Sequence, residues 1–406
     1  MLNRLKQYDW RNFNYSLVIV VMILCSLSAF VMKLAGGEES GSDYMRSQLV
    51  GLALGLCIVV VLTVLDYHFI CRFVGVFYVL GVALTFSTHT PLGTDLDTDA
   101  YRWIRLGSLT FQPTELMKII FILTMAVFFV KMQKQLDRFS TLLFVALLTV
   151  FPAGAIMSQP DLSSSLVVVF VMVIMVFVAG ISYRVLMPVI AVGLPIGLVL
   201  FWYVQQPGNF ILQGYQYNRI NAWKHPDSTD STLIDLNRQQ NSSIAAIAEG
   251  GLYGKFLKDG AKPGSSRAYN SVPIRESDFV WSVIGEEFGF LGCCLILLLF
   301  GIVIFKCFMV AKKAQDFLGM MIAVGVSAMF MFQIFSNICV ATFLFPNTGL
   351  PLPFLSKGLS SMMSAMIGIG LVLNIGIQPA KTKKGGFTMR TAYSETDKDI
   401  DIDFSL

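Results

Sequence analysis

Asp278 is the acidic residue best placed to do chemistry in this chain. It closes the run Val-Pro-Ile-Arg-Glu-Ser-Asp, where a long polar segment meets an apolar segment long enough to cross a membrane. Ionisable residues at such a boundary are costly to place and are functional candidates by default. A carboxylate there can serve as a general base for a hydroxyl within hydrogen-bond reach.

Glu115 and Lys118 form a second group of ionisable residues. They follow Pro113, which suits the first turn of a helix because the N–H that proline lacks would have no partner there. Residues three apart share one face of a helix, so the two charges can pair. They are either a neutralised ion pair at a helix entrance or a buried pair that lines a polar cavity.

Asp161 and Arg46 each admit a structural and a functional interpretation. Asp161 directly precedes an apolar segment, and aspartate is a preferred residue for capping a helix N-terminus. Arg46 opens the second apolar segment, where a long side chain can extend to the membrane surface. Each is otherwise a candidate for a polar site at the same boundary.

The sequence argues against a metal site built on histidine or cysteine. The three histidines are scattered, and no Cys-x-x-Cys or His-x-x-x-His pair is present. The acidic run 95–99 resembles the start of a calcium loop, but Leu106 stands where such a loop needs glutamate, so we interpret it as a solvated loop. A divalent cation, Mg²⁺ or Mn²⁺, could bridge a phosphate and a carboxylate, although no dedicated cage is visible.

The rest of the chain is dominated by apolar segments. Of its 406 residues, 55% are hydrophobic and only 14% are charged, whereas about a quarter are charged in soluble domains. Stretches of about 20 apolar residues can cross a bilayer as helices. The chain is therefore predicted to be an all-α polytopic membrane protein, a bundle of about ten transmembrane helices. The predicted spans are 15–34, 46–65, 69–87, 113–131, 141–158, 162–180, 183–203, 280–305, 318–345 and 355–377.

The distribution of lysine and arginine predicts the orientation. Most positive charges of the short connecting segments fall on one side, which places both termini in the cytoplasm. The predicted parts are a cytoplasmic segment 1–14, a membrane domain 15–377 and a disordered cytoplasmic tail 378–406. Residues 204–279 then form a large extracytoplasmic loop between the seventh and eighth helices. The cytoplasmic lysines and arginines account for the net charge of +4, so no nucleic-acid partner is indicated.

Five stretches along the chain together resemble the SEDS family of bacterial cell-wall polymerases, the group of RodA, FtsW and SpoVE. One such motif would be weak, but five in the family's order across residues 40–375 are specific. The matching stretches are Arg102-Trp103-Ile104 with Gln112-Pro113-Thr114-Glu115 and Lys118, Gln159-Pro160-Asp161-Leu162, Glu249-Gly250-Gly251-Leu252, Ser277-Asp278-Phe279 with Gly285-Glu286-Glu287, and Pro346-Asn347-Thr348-Gly349-Leu350-Pro351-Leu352-Pro353-Phe354-Leu355-Ser356.

The resemblance implies a ten-helix fold and a peptidoglycan glycosyltransferase. Such an enzyme polymerises lipid II at the outer face of the bacterial cell membrane, in elongation, division or sporulation. The resemblance also implies a partner, a class B penicillin-binding protein that crosslinks the new glycan. The family's essential aspartate falls on Asp278, and its characteristic arginine, glutamate and lysine fall on Arg102, Glu115 and Lys118.

Glycan elongation requires a sugar hydroxyl to attack an anomeric carbon that bears a polyprenyl diphosphate. Asp278 is the candidate base, and cations would stabilise the charge that develops on the diphosphate. The chain departs from the family at Lys357 and Leu359, where tyrosine and glycine are usual; the lysine could add a phosphate contact. The residues expected to bind substrate are Arg46, Arg102, Glu115, Lys118, Asp161, Arg219, Glu286, Ser356 and Lys357.

Two other functions remain open from the residues alone. A transporter that flips lipid-linked cell-wall precursors would line its path with the same intramembrane charges, such as Glu115, Lys118 and Glu287. A non-catalytic scaffold that recruits the transpeptidase would tolerate the departures at 357 and 359, but it would not need Asp278. Polymerisation of lipid II in detergent would identify an enzyme, because a flippase acts only across sealed vesicles.

Overall fold

The computed structural model describes residues 8–91, 93–94, 102–106, 109–159, 161–206, 214–226, 228–259 and 267–378. The acidic run 95–99 and the predicted tail from residue 379 onward lie outside these residues. The helices are α1 (Tyr15–Val64), α2 (Tyr67–Arg72), α3 (Val74–Ser87), α4 (Pro113–Lys131), α5 (Phe139–Ser158), α6 (Leu162–Val178), α7 (Tyr183–Tyr203), α8 (Gly214–Lys224), α9 (Ser231–Gly250), α10 (Lys255–Asp259), α11 (Val280–Lys313), α12 (Phe317–Ala341) and α13 (Leu359–Gly376).

These helices confirm the prediction of about ten membrane segments. α1 is long enough to cover the first two predicted segments. Its backbone is non-helical at Gly37 (φ 63°, ψ −152°), and this break divides α1 into two helical parts. Seven helices have the length and hydropathy to cross a membrane, and α3 and α6 are shorter apolar helices. With α1 counted as two segments, the described residues supply ten in all. The protein is a multi-pass membrane protein built on helices.

α4, α12 and α13 form the centre of the bundle. Nearly every side chain of α12 is buried, and large side chains such as Phe121 and Phe330 have almost no exposed surface. α7 differs, because none of its described side chains is buried although the helix is apolar. A helix that is apolar on all sides and exposed in this way belongs in contact with lipid.

A small antiparallel sheet precedes α4. Its strands, β1 (Gly93–Thr94), β2 (Trp103–Leu106) and β3 (Leu109–Phe111), pair in that order. The hydropathy pattern did not predict this sheet, because no strand is longer than four residues. β3 leads into Pro113, which occupies the first turn of α4 as predicted. The sheet therefore fixes the start of α4 relative to Arg102.

The predicted loop 204–279 contains three helices, α8, α9 and α10. Gln240 of α9 donates its amide to the carbonyls of Val340 and Phe345, each at 2.8 Å, and Ser243 donates to Ala341 at 2.8 Å. The last carbonyls of a helix lack partners within it, so α9 caps the C-terminal end of α12. We call this end of the bundle the loop face; it comprises the described residues within 88–112, 159–161, 204–279 and 342–358.

α11 is broken at Gly289, whose backbone has φ 66° and ψ −167°. The N–H groups of Phe290 and Leu291 donate to the carbonyls of Gly251 and Leu252, at 2.9 and 3.2 Å. The turn after α9 therefore supplies hydrogen-bond partners to the N–H groups just after the break. A Cβ atom on Gly254 would lie 2.1 Å from the Glu287 carbonyl oxygen. The glycines of the stretch 249–254 thus let the turn approach the backbone of α11 closely.

A charged cluster lies at the end of the bundle opposite the loop face. His68 contacts Asp66 through Nδ1 at 2.7 Å and Asp316 through Nε2 at 2.6 Å. Asp316 also caps α12 through the N–H of Gly319. Burial lowers the pKa of His68, but the two carboxylates outweigh it and raise that pKa to about 9. The imidazolium therefore joins the turn after α1 to the start of α12.

Candidate active site

Asp278 lies at the loop face, just before α11 begins, and α12 holds its backbone. Asn337 of α12 donates its amide to the carbonyls of Asp278 and Leu350, at 2.9 and 2.7 Å. Ser277 donates its hydroxyl to Oδ1 of the Asp278 carboxylate at 2.8 Å. No other side chain among the described residues donates a hydrogen bond to this carboxylate, so Oδ2 keeps its capacity to accept one.

Gly349 stands between Asp278 and Arg102. Its φ of 71° belongs to a region that residues with a side chain rarely adopt. A Cβ atom at this position would lie 3.2 Å from Asp278 Oδ2 and 3.8 Å from Arg102 Nη1. The Asp278 carboxylate and the Arg102 guanidinium therefore lie near the same position, and a side chain there would crowd the carboxylate.

Arg102 and Arg219 bring two positive charges to this region from distant parts of the chain. Arg102 precedes β2, and its Nε donates to the carbonyl of Gln159 at 3.3 Å. Arg219 is carried by α8, and its Nη1 donates to the carbonyl of Asn347 at 3.1 Å. The two arginines line a small, partly open cavity of about 30 Å³, together with Leu162, Gln216, Ile220, Pro346, Asn347 and Thr348.

Asp161 caps α6, as its structural interpretation predicts, and its contact with substrate stays a prediction. Its Oδ1 accepts hydrogen bonds from the N–H of Ser164 and the hydroxyl of Ser163, each at 3.0 Å, so it caps α6. Ser163 also donates to the carbonyl of Thr348 at 2.7 Å, which ties this cap to the segment that contains Gly349. The Asp161 carboxylate is close enough to Asp278 to act on it electrostatically.

The pKa of Asp278 is raised above its ordinary value. Burial is the largest cause, because it disfavours the charged carboxylate. The hydrogen bond from Ser277 and the charges of Arg219 and Arg102 lower the pKa, whereas Asp161 raises it. A half-buried carboxylate in this environment is a stronger base than an exposed aspartate, as a proton acceptor in catalysis needs to be.

Glu115 and Lys118 form the predicted ion pair. Lys118 Nζ lies 2.8 Å from Glu115 Oε1, and both residues are 1% exposed. Ser364 of α13 donates to the carbonyl of Glu115 at 2.9 Å, and the N–H of Gln112 donates to Ser360 at 3.0 Å. The pair is thus buried where α4 meets α13. Neither residue lines the described cavity, and the cations that act on Asp278 are Arg102 and Arg219.

Glu286 serves as an anchor for the long loop in this structure. Its carboxylate accepts hydrogen bonds from the N–H groups of Ala268 and Tyr269, at 2.8 and 2.7 Å, and from the ammonium group of Lys255. Glu286 has no exposed surface. The geometry assigns it to holding residues 267–271 against α11, and its predicted contact with substrate stays a prediction.

Ser356 and Lys357 lie next to the segment that carries Asp278. The Ser356 hydroxyl donates to the carbonyl of Ser277 at 2.6 Å and accepts the N–H of Leu352 at 2.7 Å. The N–H of Lys357 donates to the carbonyl of Glu276 at 2.7 Å, and its ammonium group lies 3.5 Å from the centroid of the Tyr44 ring. Both residues therefore brace the backbone that precedes Asp278.

Arg46 is exposed at the surface of the second half of α1. No hydrogen bond or ion pair joins it to another residue in the described part of the chain. This placement agrees with the structural interpretation of an arginine that extends to the membrane surface. A contact with substrate at Arg46 stays a prediction.

Asn337 is a site residue that lies outside the five matching stretches, and Gly349 lies in the fifth of them without an assigned role. Asn337 is a buried amide within a largely apolar helix, and polar residues in such segments are costly and usually functional. That signal was available in the sequence. The role of Gly349 depends on its approach to Asp278 and Arg102, which no local pattern reveals.

The divalent cation considered from the sequence stays a prediction. No group of three or more His, Cys, Asp or Glu side chains that could hold a metal stands together in the described ranges. Asp278 and Asp161 are the carboxylates near the cavity, and Oδ1 of each already accepts a hydrogen bond. Arg102 and Arg219 supply positive charge close to Asp278.

Comparisons with known proteins agree with the motifs over nearly the whole chain. The family model of cell cycle proteins of the FtsW, RodA and SpoVE group matches residues 9–381. Stage V sporulation protein E of Bacillus subtilis (strain 168) is 35% identical over 281 residues, 67% of this chain and 70% of that protein. The probable peptidoglycan glycosyltransferase FtsW of Trichlorobacter lovleyi is 30% identical over 372 residues, 89% of this chain and 93% of that protein.

A solved structure shares the same fold. It is a chain of a peptidoglycan synthase complex that coordinates polymerization and crosslinking, and it matches this chain with a TM-score of 0.72 and 27% sequence identity. The match covers 90% of this chain and 98% of that chain. The likeness therefore extends over most of this chain and nearly all of the other.

Proposed function

The chain belongs to the FtsW, RodA and SpoVE family of cell cycle proteins, and on that premise we propose that it is a peptidoglycan glycosyltransferase. Its substrate is lipid II, a disaccharide carried on a polyprenyl diphosphate, which it polymerises into glycan strands. The observation that carries this proposal is the proximity of the Asp278 carboxylate to the Arg102 guanidinium, since Asp278 Oδ2 and Arg102 Nη1 lie 3.2 and 3.8 Å from the Cβ position at Gly349.

In the proposed reaction, Asp278 accepts the proton of the attacking sugar hydroxyl. The oxygen then forms a bond to the anomeric carbon of the donor sugar, and the bond from that carbon to the diphosphate oxygen breaks. The leaving diphosphate carries the electron pair away as negative charge. Arg102 and Arg219 stabilise that charge, because preorganised cations in a site that excludes water act most strongly where charge develops. Guanidinium groups suit this role since they bind phosphate through two parallel hydrogen bonds.

The membrane bundle suits a substrate with a long lipid tail. The bias of lysine and arginine places the loop face outside the cytoplasm and both termini inside it. The reaction then takes place at the outer surface of the bacterial cell membrane. Lipid II, with its polyprenyl tail among the membrane lipids, reaches the loop face from the bilayer.

The proposed partner is a class B penicillin-binding protein, a transpeptidase that crosslinks the new strands. The support is the fold shared with a chain of a peptidoglycan synthase complex, in which polymerization and crosslinking are coordinated. A polymerase and a transpeptidase that act on the same strand gain from association, because the product of one is the substrate of the other.

The proposal is tested with purified protein in detergent, supplied with lipid II, with and without a co-expressed class B partner. Glycan strands are expected from the wild-type protein, most of all with its partner, and none from Asp278→Asn. Strands from Asp278→Asn at the wild-type rate would overturn the assignment of the base. Movement of lipid II across sealed vesicles with no polymer in any preparation would instead favour a flippase.

A further inference from the structure

Trp223 ties α8 to the segment that follows α12. Its indole Nε1 donates a hydrogen bond to the carbonyl of Phe343 at 3.0 Å. Phe343 lies two residues beyond the end of α12 and has a φ of 62°, a conformation that a bulky residue adopts only under constraint. The carbonyl that accepts the indole N–H is therefore presented by a strained turn.

Arg219 and Trp223 are four residues apart in α8, so both side chains project from the same face of the helix. Their partners, Phe343 and Asn347, are also four residues apart, and each accepts through its backbone carbonyl. One face of α8 is thus hydrogen-bonded at two points to one segment of backbone. The same segment continues into Thr348 and Gly349 at the site.

Both α8 and the segment after α12 are also hydrogen-bonded to α9. Asn237 of α9 donates its amide to the carbonyl of Ala222, next to Trp223 in α8, with a donor–acceptor distance of 2.6 Å. Asn347 in turn donates its amide to Gln239 of α9 at 2.6 Å. α8 is therefore held between α9 and the segment after α12, and Trp223 makes the contact nearest its C-terminal end.

We propose that Trp223 is a positioning residue that sets the place of Arg219 in the substrate cavity. A guanidinium binds a diphosphate well only when its geometry is fixed, because small displacements of a charged group cost much of its effect. Trp223 acts through α8 on Arg219 and does not itself touch the substrate. This inference rests on the proposed function, since it assigns Arg219 to the diphosphate of the substrate.

The test is a double-mutant cycle between Trp223→Phe and Arg219→Gln, read out as the affinity of the protein in detergent for a polyprenyl diphosphate. Trp223→Phe keeps an aromatic ring and removes the N–H donor. Trp202→Phe in α7 is the matched control, because Trp202 is 63% exposed and lies outside the site. Thermal midpoints of all variants report whether the fold is retained.

We expect Arg219→Gln to weaken binding about tenfold or more, since a charge-assisted hydrogen bond is lost. Trp223→Phe should weaken binding by a similar factor, and the double variant should bind no more weakly than Arg219→Gln alone. Affinity for Trp202→Phe should equal that of the wild type. Independent losses that multiply in the double variant, or equal binding by all variants, would overturn the positioning role.

Polymerisation of lipid II by the same preparations separates this inference from the proposed function. If the wild-type protein makes polymer and the binding cycle shows independent losses, the proposed function survives and the role of Trp223 does not. If the wild type makes no polymer but the cycle shows coupling between Trp223 and Arg219, the positioning role survives and the reaction assigned to the site does not.

Discussion

Asp278 and Glu287 lie close together in sequence at the start of α11, yet their surroundings differ. The Glu287 carboxylate accepts Arg267 Nε at 2.9 Å and Nη2 at 3.3 Å, as well as the hydroxyl of Tyr269 at 2.9 Å. The Asp278 carboxylate receives one hydrogen bond, from its neighbour Ser277, within the described part of the chain. A fully paired carboxylate holds the loop in place, whereas an incompletely paired one keeps an oxygen available for substrate.

The largest expected effect is on catalysis at Asp278, where a substitution should lower the rate without lowering the stability of the fold. Asp278→Asn should lower the rate of glycan polymerisation by at least about 10²-fold, because a general base contributes at least that factor. The thermal midpoint should stay the same or rise, since burial disfavours the charged carboxylate in the folded protein. Rates are measured with lipid II, and midpoints on the same preparation. If Asp278→Asn were inactive because it unfolds, Asp278 would be a structural residue like Glu287, and the contrast between the two carboxylates would be wrong.

Glu287→Gln should show the reverse pattern. Loss of the carboxylate leaves the buried Arg267 guanidinium without its partner, which should cost about 3 kcal/mol of unfolding free energy. Glu249→Gln is the control, because the Glu249 side chain is half exposed and its pair with Lys255 should contribute less than about 1 kcal/mol. Unfolding of both variants is followed in detergent by denaturant titration. Equal losses for the two would show that burial does not distinguish these ion pairs.

Gly349→Ala probes the space beside Asp278. The added methyl group would lie 3.2 Å from Asp278 Oδ2, at a positive φ that strains alanine, so kcat/KM should fall by about 10²-fold. Gly75→Ala in α3 is the matched control, since a methyl group added there would have no neighbouring atom within 4 Å and the residue is helical. Full activity of Gly349→Ala would mean that substrate does not enter this space.

The smallest expected effect is a shift in pH dependence. Asp278 must be deprotonated to accept a proton, so kcat/KM should rise with pH through the pKa of this residue. Asp161→Asn removes a charge that raises that pKa, so the acid limb should move to lower pH. Arg219→Gln removes a charge that lowers it, so the limb should move to higher pH. Asparagine is also a good N-cap residue, so α6 should be retained in Asp161→Asn. Shifts in the same direction for both variants would argue against Asp278 as the titrating base.

Much of the fold was predictable because each membrane segment needs about 20 apolar residues, which hydropathy detects without knowledge of contacts. The predicted ion pair of Glu115 and Lys118 was also confirmed, since it depends only on helical spacing. The position of Arg219 was not predictable, because α8 reaches Asn347 across more than 100 residues of sequence. Glu286 shows the converse. Its motif suggested the site, whereas its hydrogen bonds to Ala268 and Tyr269 depend on how the loop folds back.

The break at Gly289 divides α11 into two parts. After it, the apolar part of the helix has the composition of a membrane span, and membrane helices tilt to match the thickness of the bilayer. At the break itself, the backbone is hydrogen-bonded to the turn at Gly251 and Leu252 and not to lipid-facing neighbours. Any change in the tilt of the apolar part would therefore be taken up at a glycine, and the hydrogen bonds to the turn would hold the part of α11 next to Asp278.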